Sequence, residues 1–379
     1  MAGEGCTVRF SPSELGRLKQ KSYGFGLGIF LFDASFYALS IAGTIAAPHL
    51  RQRIACAVVA GFWTSGLVVV AHDACHQSLT PSRRLNRWLG TLAFLPALHA
   101  YSLWQYGHNH LHHLFTSLRG RDYVWEPLSL REYQSLPWWS RCRYRFFRTF
   151  IGHFFYYSCE IWWKRRFFPR RRYLGEIKAS YWLDFLIVVG WLTGLSLTVV
   201  ALRSHVTGLP MTDLTGWVEP ICLAILLPVV VSGMISSSSE YLHHAHPRVH
   251  WFTESTAGNW TDRQTRTAVH VRFPAVMDWF MHWIMDHTAH HMQPAIPSYH
   301  LSEAQRLVES QRREEVVTYR WSLRAMLAIL RDCKLYDDEA GCWTDYSGQP
   351  TSESRRQLDT PEIRRPGSGL DVDSRGEAA

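Results

Sequence analysis

Four short clusters of histidine could hold metal. His72 and His76 stand in A-H-D-A-C-H-Q; His108, His110, His112 and His113 in G-H-N-H-L-H-H; His243, His244 and His246 in E-Y-L-H-H-A-H-P; and His287, His290 and His291 in D-H-T-A-H-H. Residues three and four apart share a helix face, so each cluster can turn two or three imidazoles the same way. A single pair at that spacing is an ordinary surface accident. Twenty histidines in 379 residues, roughly double common usage, need a shared cause, and metal binding accounts for all four clusters. A zinc ion takes three or four protein ligands; the eight or nine imidazoles here suffice for two ions, with positions left for oxygen. The eight cysteines contain no C-x-x-C pair, which argues against a zinc ribbon, an iron–sulfur cluster and a disulfide framework. Imidazole itself serves iron, zinc, copper and nickel alike.

The elements that must position these clusters are membrane helices. A hydrocarbon core of about 30 Å needs about 20 apolar residues as helix, and residues 25–47, 54–71, 182–202 and 217–235 qualify. A fifth stretch, 88–103, contains Pro96 and His99 and reads as half-buried or re-entrant. Mean hydropathy is only −0.14, so large polar portions accompany the spans. Residues 72–180 carry 17 Lys or Arg, whereas 203–216 carry one. The positive-inside rule then puts the N-terminus, residues 72–180 and everything after about Ser236 in the cytosol, which an even number of spans satisfies. All four clusters fall on that side, and two begin within a few residues of a span's end. If the second and fourth spans are neighbours, His72, His76 and His244 converge beneath the membrane. The net charge of +8 belongs to the same pattern. Basic residues alternate with Trp and Phe beside apolar runs, which suits a membrane face and not nucleic acid. Residues 144–173 carry this mixture most densely and read as a helix lying in the interface. Asp33 lies inside the first span, where an acid is a functional candidate by default; the sequence assigns it no role.

Location narrows the chemistry that the ligands leave open. A redox metal pair just below the bilayer surface can meet the middle of an acyl chain. Oxidising an unactivated methylene needs a strong oxidant made from O2, and two irons can supply the electrons for it. A hydrolase would need only zinc-activated water and would usually show a carboxylate base in a pattern such as H-E-x-x-H, absent here. A non-catalytic zinc-binding membrane protein or transporter is the alternative of another class. A transporter, however, puts polar ligands near mid-membrane, and these clusters lie outside the spans.

H-x-x-x-H (His72, His76), H-x-x-x-H-H (His108, His112, His113) and H-x-x-H-H (His287, His290, His291), in that order with two spans between the second and third, resemble the boxes of the integral-membrane fatty acid desaturases. The Y-L-H-H-A-H-P stretch and the last box look like the acyl-lipid omega-6/delta-12 branch. The resemblance covers about residues 20–315. It implies two iron ions held by the boxes, with a ninth ligand at His244, and O2 as co-substrate. It also implies a fatty acyl substrate carried on lipid, CoA or acyl carrier protein. The electron donor would be a separate ferredoxin or cytochrome b5, since the chain has no H-P-G-G haem motif. Within this set His110 rivals His108 and His243 rivals His244. Hydroxylases and acetylenases use the same boxes and remain rival activities.

The expectation is an all-α integral membrane protein: about four transmembrane helices with a cytosolic helical cap carrying the histidine boxes, both termini cytosolic. Residues 1–20 form a cytosolic N-terminal segment, 21–346 the membrane domain and 347–379 a disordered tail rich in Ser, Pro and Gly. Two amphipathic helices follow the last box, near 302–313 and 320–333, the first capped by Ser302. Asp73, Asp122, Glu240 and Asp286 are candidates to accept a ligand's free ring N–H.

Overall fold

The computed structural model describes residues 10–355 apart from 209, 211–213, 257–259 and 313–315. Four helices are long and apolar enough to cross a membrane: Tyr23–Ala46, Leu50–Cys75, Ala179–Thr207 and Gly216–His244. Ser22 opens the first by accepting the Phe25 amide, and Ala47 ends it in an extended conformation, as the residue before Pro48 must. The second span is the most buried, with 56% of its apolar window covered against 17% for the first and third, because it packs between the first and the fourth. Small residues allow that approach. A Cβ on Gly61 would meet Val231 at 2.5 Å. Leu31, Leu39, Leu183 and Leu186 are more than half exposed, as suits helices solvated by lipid.

Residues 88–103 do not cross. Helix Arg83–Phe94 has 12 residues, about 18 Å of rise. The chain then turns, with Leu98 at φ 54°, and resumes as Tyr101–Gln105. Residues 144–173, expected as one helix, are instead divided among short helical segments, Trp138–Phe146, His153–Tyr156, Tyr157–Arg166 and Arg171–Leu174; Ile151 and Trp163 are more than half exposed, whereas Arg166 is fully buried. Its guanidinium lies 4.8 Å from the Trp104 ring centre.

The polar segments form a cap at the ends of the second and fourth spans, around Trp125, Tyr241, Trp251, Tyr336 and Trp343. Two small sheets brace it: Val269–Arg272 parallel to Val317–Arg320, and Leu335–Asp337 antiparallel to Cys342–Thr344. Two expectations are corrected here. Ordered chain runs past residue 346, because the Thr351 amide donates to the Trp343 carbonyl and Arg355 donates to the Trp251 carbonyl at 2.9 Å. Hydrogen bonds to the cap thus hold residues that composition assigned to the tail, and 356–379 lie outside the described residues. The helix after the last box is Ser298–Arg312, so Ser302 lies within it. Its start is fixed by Asp73, whose Oδ2 accepts the Ser298 amide at 2.7 Å. The next helix, Leu323–Asp332, is capped by Ser322.

Candidate metal centre

Each histidine cluster sits where an element ends or changes pitch. His72 and His76 close the second span and His244 closes the fourth. The last box forms the buried helix His287–Met292. The second box adopts a π-helical turn, Tyr106–His112. In an α-helix, residues five apart diverge by about 140°. The wider π turn, bonded i to i+5, brings them together. His108 Nε2 accordingly stands 3.0 Å from His113 Nε2.

The ring nitrogens converge in two groups. His72, His76, His108, His113 and His290 form one; His112, His244, His287 and His291 form the other; within each, the nitrogens lie within 4.8 Å of one another. All nine candidates are therefore brought together, and the second box divides its rings between the groups. His110 is exposed, with its ring 5.8 Å from Tyr106. His243 is buried outside both groups, stacked 3.6 Å from His287 with Nε2 on the Met285 sulfur. His246 lies against Tyr319.

The four-membered group shows whether metal fits. His112 Nδ1 is 3.0 Å from Asp122 Oδ1, His244 Nδ1 2.9 Å from the Thr267 carbonyl, and His287 Nδ1 3.2 Å from the Ile284 carbonyl. His291 Nδ1 is 3.0 Å from Gln264 Oε1, and Gln264 is oriented by its Nε2, which donates to the His113 carbonyl. These oxygens accept, so each Nδ1 carries the proton and each neutral ring presents a bare lone pair at Nε2. The lone pairs face one another at 3.2 Å between His112 and His244 and at 3.0 Å between His287 and His291. With no proton to share, that arrangement calls for a cation. Two metal–imidazole bonds of about 2.1 Å at a right angle separate their nitrogens by about 3.0 Å. Burial, with neighbouring imidazoles second, pushes His287 and His291 well below the ordinary imidazole pKa. The same causes lower His76, His108, His113 and His290. Neutral imidazole is the form that binds metal, so both donor sets suit a metal ion.

Two of the four candidate carboxylates face a ring of the converging groups. Asp73 Oδ1 lies 3.3 Å from His72 Nδ1, and Asp122 fixes His112 as described. The other two turn elsewhere: Asp286 pairs with His270 at 2.9 Å, and Glu240 faces Arg166 at 3.5 Å. Nearness in sequence to a box does not set the direction of a carboxylate. In the four-membered group, the rings that lack one are oriented by Gln264, Thr267 and Ile284. Two of these act through backbone carbonyls, which leave no signal in side-chain identity.

The sequence model described as fatty acid desaturase matches residues 51–323. The chain belongs to the fatty acid desaturase family. It is 27% identical over 315 residues to a chloroplastic omega-6 fatty acid desaturase of Glycine max, an alignment covering 82% of this chain and 68% of that one. It is 29% identical over 301 residues to an sn-1 oleoyl-lipid 12-desaturase of Synechocystis sp., covering 76% and 78% respectively. A protein of the same name from Anabaena variabilis is 24% identical over 321 residues, covering 83% and 84%. As a desaturase the chain is an oxidoreductase. A cavity open to one side meets its histidines. Val68, Val69 and Ile235 of the second and fourth spans line it, Met281 and Ile284 form another wall, and members of both nitrogen groups border it.

Proposed function

We propose that this desaturase introduces a cis double bond into a fatty acyl chain at a di-iron centre, with the omega-6/delta-12 outcome named for its relatives. The observation that carries the reading is that both nitrogen groups border one largely apolar cavity reaching between the spans. In this reading His72, His76, His108, His113 and His290 hold one iron, and His112, His244, His287 and His291 hold the other. Bound iron would supply the redox chemistry by which O2 takes hydrogen from an unactivated methylene.

The protein's own contribution is positional. Val68, Val69, Ile235, Met281 and Ile284 exclude water from the acyl chain and fix its height against the histidines. Asp122, Gln264 and the carbonyls of Thr267 and Ile284 hold the rings in the tautomer that leaves Nε2 free. Taking two hydrogens from the chain and reducing O2 to two waters consumes two further electrons and two protons. A separate donor, ferredoxin or cytochrome b5, is therefore part of the proposal. The basic residues between the second and third spans support a cytosolic placement of the histidines and both termini, and they suit the docking of an acidic donor.

The test is expression in a host that lacks polyunsaturated lipids, with mass spectrometry of its fatty acids. The expected product is a diene with its new bond at the delta-12 position. A hydroxylated or acetylenic product would move the chain to a sister activity. An unchanged profile, despite membrane insertion and a working donor, refutes the proposal.

A further inference from the structure

Asp33 takes no part in the metal centre. Its side chain is fully buried within the first span, and its Oδ2 lies 2.7 Å from His282 Nε2, 249 residues further on. The contact passes through a notch in the second span, where a Cβ on Gly66 would stand 2.7 Å from that same oxygen. His282 belongs to the turn between helix Ala275–Phe280 and the last histidine box. His282 and Trp283 have φ of 48° and 56°. Side chains other than glycine seldom adopt this region, and two in succession persist only where the surroundings hold them. Local bonds close the turn: the Trp283 amide to the Asp278 carbonyl at 2.8 Å, and the Asp286 amide to the Trp283 carbonyl at 3.0 Å. The Asp33 contact ties this closed turn to the spans.

What the turn carries makes the tie consequential. Met281 and Ile284, one residue before His282 and two after it, both line the cavity. The Ile284 carbonyl also fixes the His287 ring. The His287 contact is local to the closed turn, so what the latch governs is the wall of the cavity. Burying a carboxylate among apolar helices is costly unless it is partnered, so the pair opposes any drift of the turn away from the first span.

We infer that Asp33 and His282 are positioning residues for the acyl chain: their contact sets how Met281 and Ile284 bear on it, and hence which carbons rest beneath the histidines. The inference rests on the desaturase reading of the cavity. A pair that merely braces the helices would change how much protein accumulates and leave the products of the surviving protein alone. A pair that positions the chain must change the products.

The full-length chain and its variants Asp33→Leu, Asp33→Asn and His282→Asn are expressed in a host with saturated and monounsaturated lipids. Two quantities are read: the distribution of double-bond positions among the products, and the metal bound per purified chain. Asparagine tolerates the left-handed conformation but is too short to reach Asp33, so His282→Asn removes the latch while sparing the backbone. Asp33→Leu and His282→Asn are expected to keep wild-type metal content. The ratio of the main positional isomer to its neighbours should fall on the order of tenfold, because small misplacements are felt strongly at a reacting centre. Asp33→Asn, whose amide oxygen still accepts from His282, should restore the ratio. A wild-type isomer ratio in Asp33→Leu or, where that variant fails to accumulate, in His282→Asn overturns the inference and leaves the proposed function standing. A wild-type chain that forms no double bond sinks both.

Discussion

Replacing Asp122 by asparagine removes one charge and moves few atoms. The carboxylate accepts hydrogen bonds from His112 Nδ1–H at 3.0 Å, the Ser117 amide at 2.8 Å and the Val124 amide at 3.0 Å. It thus serves three donors, two on Oδ1 and one on Oδ2. An asparagine side chain has one acceptor oxygen. Set toward His112 and Val124, it turns its NH2 onto the Ser117 N–H; set the other way, it opposes the imidazole. Either orientation leaves a buried donor facing a donor and weakens the hold on the His112 tautomer, so the ring's proton can move to Nε2 and remove one lone pair from the group of His112, His244, His287 and His291. Losing such an orienting partner typically costs a metal site 10- to 100-fold in affinity, about 1.4–2.8 kcal/mol. The assay is metal content after dialysis against graded chelator. Asp122→Asn should give up the metal of the four-membered group at chelator concentrations the wild type withstands, keep the metal of the five-membered group, and lose desaturation in step with the first. Equal chelator midpoints for the two proteins, within a factor of about two, would refute the tautomer reasoning.

Other expectations are simpler to state. His108→Ala should abolish product formation, and His110→Ala should leave it within about twofold of wild type, as for an exposed surface change; fatty acid profiles of the two strains decide, and the reverse result would dismiss the grouping of nitrogens. His270 is opposed by burial, but its hydrogen bonds to Asp286 and Glu309 prevail and raise its pKa to about 9 from an ordinary 6.5. A raised cationic pKa stabilises fully below the unfolded value and loses effect as pH climbs through the folded one. The stability gap between wild type and His270→Gln should therefore be greatest below about pH 6.5, on the order of 3 kcal/mol, and vanish above about pH 9. Thermal melts across that window check it, and a gap that widens with pH would contradict it. Ending the chain after residue 346 removes the Arg355 bond to the Trp251 carbonyl and should lower stability by about 1–3 kcal/mol through the buried carbonyl left unpaired. Ending it after Arg355 should not, and equal melting temperatures for the two truncations would contradict that reading.

The nine converging histidines and the four spans were legible because each depends on local periodicity: a turn's spacing for the boxes, a run of apolar residues for the spans. What stayed hidden depends on direction or on distant partners. His108 and His113 are five apart, a spacing that an α-helix separates and only the π turn of Tyr106–His112 unites. No pattern in G-H-N-H-L-H-H announces that change of pitch, so the division of its rings between two groups could not be read. Asp286 precedes His287 directly and still faces His270, whereas Gln264, in an unremarked polar stretch, orients His291. Asp33 drew notice as an acid among apolar residues, but its partner lies 249 positions away. The C-terminal sheet pairs strands of three residues, too short to leave an alternation that composition would reveal.

The last box contributes His290 to one nitrogen group and His287 and His291 to the other. Neither group is complete before this stretch has been synthesised, and by then all four spans have left the ribosome. A partly made chain therefore holds only fragments of each group: two, then four, histidines toward the first, and one, then two, toward the second. The first group then still lacks His290, and the second lacks both His287 and His291. Loading of a full metal pair would thus belong to the end of biogenesis. Chains stalled or truncated ahead of the last box should therefore lack a complete pair of sites, so that full metal content would serve as a quality mark for completed synthesis.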